Sequence, residues 1–339
     1  MDQTGSDTPV LSRSRMIQLV RRWGDVNSDA LLDPSCQHFT APDMEGFIGY
    51  RIAASNAVVY GEPVADNADK PLLASTFQKE CMERGLGVVY MMSSGSFTEW
   101  ALTHLDAVSF EFGIQFLFDP LHNPFDNTGE KAGLVRRKVK RALKEGVTAQ
   151  EYLGGDTFIE EGIEGVTSDW LNRRQGIQIH ISHLQLFSDR VGKRYIYAQR
   201  EGKIVGILTL NEIRARSGWL LNHVMTTKNA PQGTSELLVT TALQIVAAEN
   251  CRCVVAGPVP GKCLQSVRGI HPALVHPLKW LFRGIGLFCR LDRHIPFWDK
   301  FQPNTESSYV LFPKKNLTCR SLKALLRALN ATRVENIRQ

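Results

Sequence analysis

The run "GWLLNHVMTTKNAPQGTSELL", residues 218–238, places two polar side chains, Asn222 and His223, in an otherwise apolar strand and then turns through Ala230-Pro231-Gln232-Gly233 into a helix. An imidazole titrating near neutrality suits removal of a proton from a hydroxyl, and a helix N-terminus offers N–H groups to a developing oxyanion, so the pattern fits acyl transfer. A single histidine in a strand serves equally well as a hydrogen-bonded core group, and the residues alone leave both readings open. Thr234 or Ser235 is expected to cap the helix. The chain shows no Ser-His-Asp order, no metal-ligand spacing and no phosphate-binding loop motif. Transfer would then run directly between two bound substrates, with the protein supplying orientation, a base and charge stabilisation.

A second constellation is electrostatic. Within residues 131–144, Lys131, Arg136, Arg137, Lys138, Lys140, Arg141 and Lys144 occur with no acidic residue among them. The chain carries +6 overall, so the remainder is close to neutral. Val135, Val139, Ala142 and Leu143 recur at helical spacing and are expected to face a sheet, leaving Lys131, Arg137, Lys138, Arg141 and Lys144 outside. A solvated surface is one reading; a phosphate-bearing partner, bound with steep salt dependence, is the other.

Near the C-terminus aromatic and basic residues interleave, among them Lys279, Trp280, Phe282, Arg283, Arg293, Phe297, Trp298 and Lys300. Such mixtures suit a membrane interface or stacked nucleotides, and also an ordinary core edge. The last segment, "CRSLKALLRALNATRVENIR", forms an amphipathic pattern with Leu322, Leu325, Leu326 and Leu329 on one stripe, fit to pack on the body or on anionic lipid.

Positioning these groups requires a sizeable scaffold, and 339 residues suffice for two domains. A hydrophobic content of 43% and a charged content of 22% are those of a soluble globular protein. No apolar run reaches the length of a membrane span and the N-terminus lacks the order of a signal peptide, so a cytoplasmic site, with peripheral membrane visits, is expected. Seven cysteines without C-x-x-C spacing are read as reduced thiols, and no metal is expected. A helical segment occupies 1–40, with a helix over Arg13–Trp23. The hairpin "GFIGYRIAASNAVVYGEPV", a helix over 71–84, the strand "LGVVYMMSS", a helix from about Ser96, the strand "VSFEFGIQFLF" and the basic helix make a first unit over 41–155. The Gly-rich, acidic "GGDTFIEEGIEG" (154–165) reads as a boundary loop. Beyond it come two short helices (167–175 and 180–189), the hairpin "KRYIYAQREGKIVGILTL", the strand with His223, its helix and the strand "CRCVVAGPV", a second unit over 156–315. The amphipathic helix takes 316–339.

Hairpin, helix and strand occur twice, an α/β (α+β) pattern of two tandem units with mixed sheets flanked by helices, and it resembles the N-acetyltransferase-like (GNAT) fold. Acetyl-CoA-binding members carry a Gln/Arg-x-x-Gly-x-Gly/Ala turn before the central helix; here only Gly233 is in place, so coenzyme A is not expected. Several segments together resemble the C-terminal domain of phosphatidylglycerol lysyltransferases and other aminoacyl-lipid synthases: "VVYGEPV", Lys131 and Arg136 opening the basic helix that Gly146 ends, "DWLNRRQG", "EGKIVGILTL", "NAPQGTSELL" and "FWDKFQP...SYVLF". The likeness covers about 45–315. It implies an aminoacyltransferase that takes an amino acid from aminoacyl-tRNA, its co-substrate, and places it on a lipid hydroxyl with no further cofactor. Lys131, Arg136, Arg137, Lys138, Arg141 and Lys144 would then hold tRNA. His223 as base, Lys300 as fixed ammonium and Asn222 beside them would form the reaction centre, with Gly233, Glu236, Arg293 and Trp298 contacting substrate. Where the bacterial phosphatidylglycerol enzymes are expected to have Asp and Arg, this chain has Asn222 and Met225, and it keeps only Lys300 of a K-x-K/R-F motif. The wording around Asn222 is more similar to fungal sterol-aminoacylating relatives. An acyl-CoA-dependent N-acyltransferase and a silent RNA- or membrane-binding module are the alternatives.

Overall fold

The computed structural model describes residues 11–122, 125–173, 184, 186–261, 263–289, 295–313 and 319–328. Ser12 accepts a hydrogen bond from the Arg15 amide and so starts α1 (Arg13–Trp23). Then follow β1 (Gln37–Phe39), β2 (Gly46–Ala53), β3 (Asn56–Tyr60), β4 (Val64–Ala65), α2 (Lys70–Glu83), β5 (Gly87–Ser93), α3 (Gly95–His104), β6 (Ala107–Phe118) and α4 (Glu130–Lys144). The second half comprises β7 (Thr148–Tyr152), α5 (Thr157–Arg173), β8 (Lys193–Arg200), β9 (Lys203–Ile213), β10 (Gly218–Thr226), α6 (Thr234–Ala248), β11 (Val254–Pro260), β12 (Val267–Arg268), α7 (Pro272–Cys289), α8 (Ile295–Asp299), β13 (Asn304–Pro313) and α9 (Cys319–Ala328).

The strands join into one sheet in the order β1-β2-β3-β5-β13-β6-β11-β10-β9-β8-β7, with β4 on β2 and β12 on β6. Each half contains an antiparallel hairpin, a parallel pair joined through a helix, and further antiparallel strands, so the α/β class and the tandem GNAT-like arrangement hold. The halves share strands across residue 155: β7 pairs with β8, and β13 enters between β5 and β6.

Strand alternation sorts the core into two faces. On one lie α1, α5, α7 and α9, over Val58, Val89, Phe110 and Val310 in the first half and over Ile207 and Met225 in the second. On the other lie α2 and α3 over Val59, Tyr90 and Leu311, and α4, α6 and α8 over Phe116, Leu208 and Leu221. Val135, Val139 and Phe301 are fully or almost fully buried there; each such side chain contributes roughly 1.5–3 kcal/mol.

Some local expectations need correction. The 154–165 segment is no linker: after Gly154 and Gly155, both at positive φ, the chain enters α5 at Thr157 and stays helical to Arg173, because Ile159, Ile163, Val166 and Trp170 follow one apolar stripe under β9 and β10. This one helix replaces the expected start at 167; of the expected 180–189 helix, residues 180–183 and 185 lie outside the described residues, while 184 and 186–189 form turn and irregular chain rather than helix. Leu143 is exposed rather than sheet-facing, since Val135, Val139 and Ala142 already fill the inner stripe of α4. Strand β7, to which the sequence reading assigned no element, exposes Thr148 and Gln150 on alternate positions and extends the sheet edge. The C-terminal helix packs on the body, with Ala324 buried and Leu322 and Leu325 against the first-half core; Leu329 lies outside the described residues.

Candidate active site and basic face

Strands β10 and β11 run parallel but pair only through Trp219, Leu220 and Leu221 against Val254, Val255 and Ala256. Beyond that point β10 follows β9 to Thr226 and β11 follows β6 to Pro260, so the two separate. Both leave with an irregularity: β10 at Asn222, between Leu221 and His223, and β11 at Gly257-Pro258. The extra residue turns Asn222 out to solvent and restores alternation one position later. His223 then stands opposite Thr209, whose hydroxyl lies 3.1 Å from its Nδ1.

After β10 the chain turns through Ala230-Pro231-Gln232 and enters α6. Its N-cap is Gly233 at φ +100°, not Thr234 or Ser235; the Thr234 hydroxyl donates back to the Pro231 carbonyl instead, 2.7 Å away. A side chain at 233 would overlap the Lys138 carbonyl oxygen, so only glycine fits both the left-handed backbone and this approach of α4. Arg141 reinforces the contact by donating to the Gln232 amide oxygen at 2.6 Å and to Glu145 at 2.9 Å.

Glu236, in the first turn of α6, receives the Lys300 ammonium at 2.6 Å, both side chains nearly buried at 10% and 12% exposure. Lys300 also sits 3.9 Å from the Phe297 ring centroid. Burial pulls the Lys300 pKa below its ordinary value; Glu236 opposes that shift and the nearby Lys138 charge adds to it. Trp298 packs with Phe118, Phe297 and Phe301 around this pair. The structure therefore brings together Lys138, Arg141, Gly233, Glu236, Trp298 and Lys300. It does not bring His223 to Lys300. His223 alternates with Val224 and shares its face with Met225, which lies under α5, whereas Val224 and the aromatic neighbours of Lys300 belong to the α4–α6 side. The single reaction centre expected for the two becomes two stations on opposite faces of the sheet, beside the gap between β10 and β11. Met225 is wholly buried. Arg293 lies outside the described residues.

On α4, Lys131, Arg137, Lys140, Arg141 and Lys144 are exposed and Arg136 and Lys138 are half-buried. Lys131 meets Asp299 at 2.7 Å, and Arg136 is committed to the carbonyls of Phe125 and Asn127 at 2.8 and 2.6 Å. The basic face is thus real, but Arg136 acts as a structural anchor within it. Sequence reading missed the Asp169 carboxylate, which accepts from the Lys228 amide at 3.2 Å and pairs with Arg173, itself bound to the Thr226 carbonyl; this ties α5 to the loop entering α6. Only the "DWLNRRQG" resemblance pointed there.

The sequence profile of the family described as phosphatidylglycerol lysyltransferase, C-terminal, matches residues 22–312. The chain belongs to that family. No curated protein sequence matches it. Among solved structures, L-PGS from Bacillus licheniformis is similar at TM-score 0.76 and 16% identity, over 94% of this chain and 95% of that one. The C-terminal domain of a protein described as a lysylphosphatidylglycerol synthetase, from Agrobacterium fabrum, gives 0.74 at 17% identity, over 95% and 97%. FemX gives 0.55 at 9%, over 94% and 98%. At such identities these likenesses establish the fold that the family's chains share.

Proposed function

We propose that this member of the phosphatidylglycerol lysyltransferase C-terminal family is an aminoacyltransferase that moves an amino acid from aminoacyl-tRNA to a lipid hydroxyl. The observation that carries the reading is the seating of α4. Its exposed cations form a basic surface at the very turn that opens α6, and its Lys138 carbonyl closes on Gly233. A phosphate-bearing strand laid on α4 would be led to the turn that joins β10 to α6. The same closure disfavours acyl-CoA, because a pyrophosphate needs the N–H groups at such a turn open and faced by glycine rather than by a helix backbone.

In this reading the tRNA ester carbonyl lies at the gap, His223 accepts the acceptor hydroxyl proton, and Thr209 orients the imidazole. The hydroxyl oxygen bonds to the carbonyl carbon, the tetrahedral intermediate collapses, and the terminal ribose oxygen leaves with a proton. Lys300 and Glu236 hold α8 against α6 and so fix the turn on which the ester rests. The division into units over 41–155 and 156–315 is kept as a proposal about repeats, with β13 of the later stretch completing the sheet of the earlier one. Incubation with a panel of charged tRNAs and a lipid extract tests the function: radiolabelled amino acid entering the organic phase supports it. Label that enters only from acyl-CoA, or from no donor while tRNA still binds, defeats it.

A further inference from the structure

Helix α7 is apolar in sequence, "PALVHPLKWLFRGIGLFC", and among its described side chains Leu278 and Phe282 pack against the first-half core. Leu274, one turn before Leu278 on the same row, remains 52% exposed where α7 begins, and Trp280, turned away from that row, is 81% exposed. Arg283 is exposed, and Lys279 reaches the Gln265 carbonyl at 2.8 Å. From Lys262 to Leu291 the sequence has five cations and no acid; Arg268 among them is paired with the Glu99 carboxylate, at 3.0 Å for one of its two contacts, which leaves four others in this stretch. Helix α9 covers the same face of the sheet and shows Arg320, Lys323 and Arg327 to solvent; from Lys314 to Arg333 there are six cations and again no acid. Among the described residues no helix is long and apolar enough to cross a membrane.

We propose that α7 and the outer side of α9 are a docking surface for an anionic lipid bilayer, with Leu274 and Trp280 entering the headgroup boundary and the cations of both helices meeting lipid phosphates and carboxylates. This rests on the reading of a lipid acceptor. Charge decides among occupants. A second copy presenting the same face about a two-fold axis would set cation against cation, and an RNA backbone would leave the apolar side chains in water. A bilayer with anionic headgroups satisfies both features. The basic α4 lies on the opposite face, so membrane and polyanion need not compete.

The test is flotation of the full chain with phosphatidylcholine vesicles with and without phosphatidylserine. The wild type is expected to float with the anionic vesicles, the double variant Leu274→Glu/Trp280→Glu to lose about tenfold or more of that binding with an unchanged melting temperature, and Trp280→Phe to keep it. Failure of the wild type to float, or equal flotation of the double variant, overturns the proposal; so does a dimer that the double variant dissociates. Amino-acid transfer separates docking from chemistry. The double variant should lose transfer to vesicle-borne acceptor but retain it to acceptor dispersed in detergent. Equal loss in both formats assigns the two residues to the transfer site and overturns the docking surface. If the wild type transfers in neither format, the enzymatic reading fails and flotation alone decides the surface.

Discussion

The base assignment lives on one side chain, and its geometry makes it testable. His223 is held at the bulge of β10 by Thr209, so replacing it with glutamine preserves a polar group of similar reach without a titrating nitrogen. His223→Gln should transfer ~10²- to 10⁴-fold more slowly in single-turnover assays, with charged-tRNA affinity and melting temperature close to wild type. Early melting with joint loss of binding would make it a core histidine instead. A different residue dominates stability. Arg21 is almost fully buried and donates to both Asp29 carboxylate oxygens at 3.0 and 2.6 Å and to the Val191 carbonyl at 2.9 Å, tying α1 to the second half. Burial would raise the Asp29 pKa, but hydrogen bonds and charge from Arg21 outweigh it and hold the carboxyl below its ordinary value. A depressed carboxyl stabilises the fold at pH above the ordinary carboxylate range, and that contribution is lost as pH falls through the lowered value. Asp29→Asn should therefore cost about 3–5 kcal/mol near neutrality and flatten the acid limb of the stability curve, as read by urea titrations across pH. Arg21 was legible only as part of a basic helix, because neither the turn that brings Asp29 back to it nor the return of Val191 far along the chain shows in the period of that helix.

At the scale of elements, the exposed side of α4 carries the prediction. Reversing Arg137, Lys140 and Lys144 to Glu avoids the anchors Arg136 and Arg141 and should weaken charged-tRNA binding while flattening its dependence on salt concentration. Unchanged affinity in filter binding at low salt would remove α4 from the interface. Most elements could be read from the chain, since α1, the 46–60 hairpin and β10 announce themselves by period and turn residues. The errors arose where local signals competed with tertiary packing. Four glycines and four acids suggested a loop at 154–165, yet the stripe Ile159-Ile163-Val166 bound that stretch to the sheet. The candidate site was half legible for the same reason. The turn at Gly233 and the pair of Glu236 with Lys300 gather from resembling motifs, but the face on which His223 points depends on one extra residue at Asn222, which no period reveals.

For the whole molecule, the decisive feature is the insertion of β13 between β5 and β6, where Val310 and Phe312 enter the first-half core. Ending the chain at residue 303 should abolish cooperative unfolding of the first half, detected as protease sensitivity within 41–118 and loss of the thermal transition. A truncated chain that melts like the full one would show that the 41–155 unit folds alone. Sequence placed this strand in the second unit because order along a chain does not state which sheet neighbours a strand will choose. The return of β13 also governs how the protein is born. A ribosome releases β5 and β6 nearly two hundred residues before the strand that must lie between them, so throughout that interval the nascent chain carries two open hydrogen-bonding edges that invite mispairing. Synthesis of β13 thus becomes the step that completes the oldest part of the fold, and its yield in a cell depends on whatever shields that unfinished slot while translation proceeds.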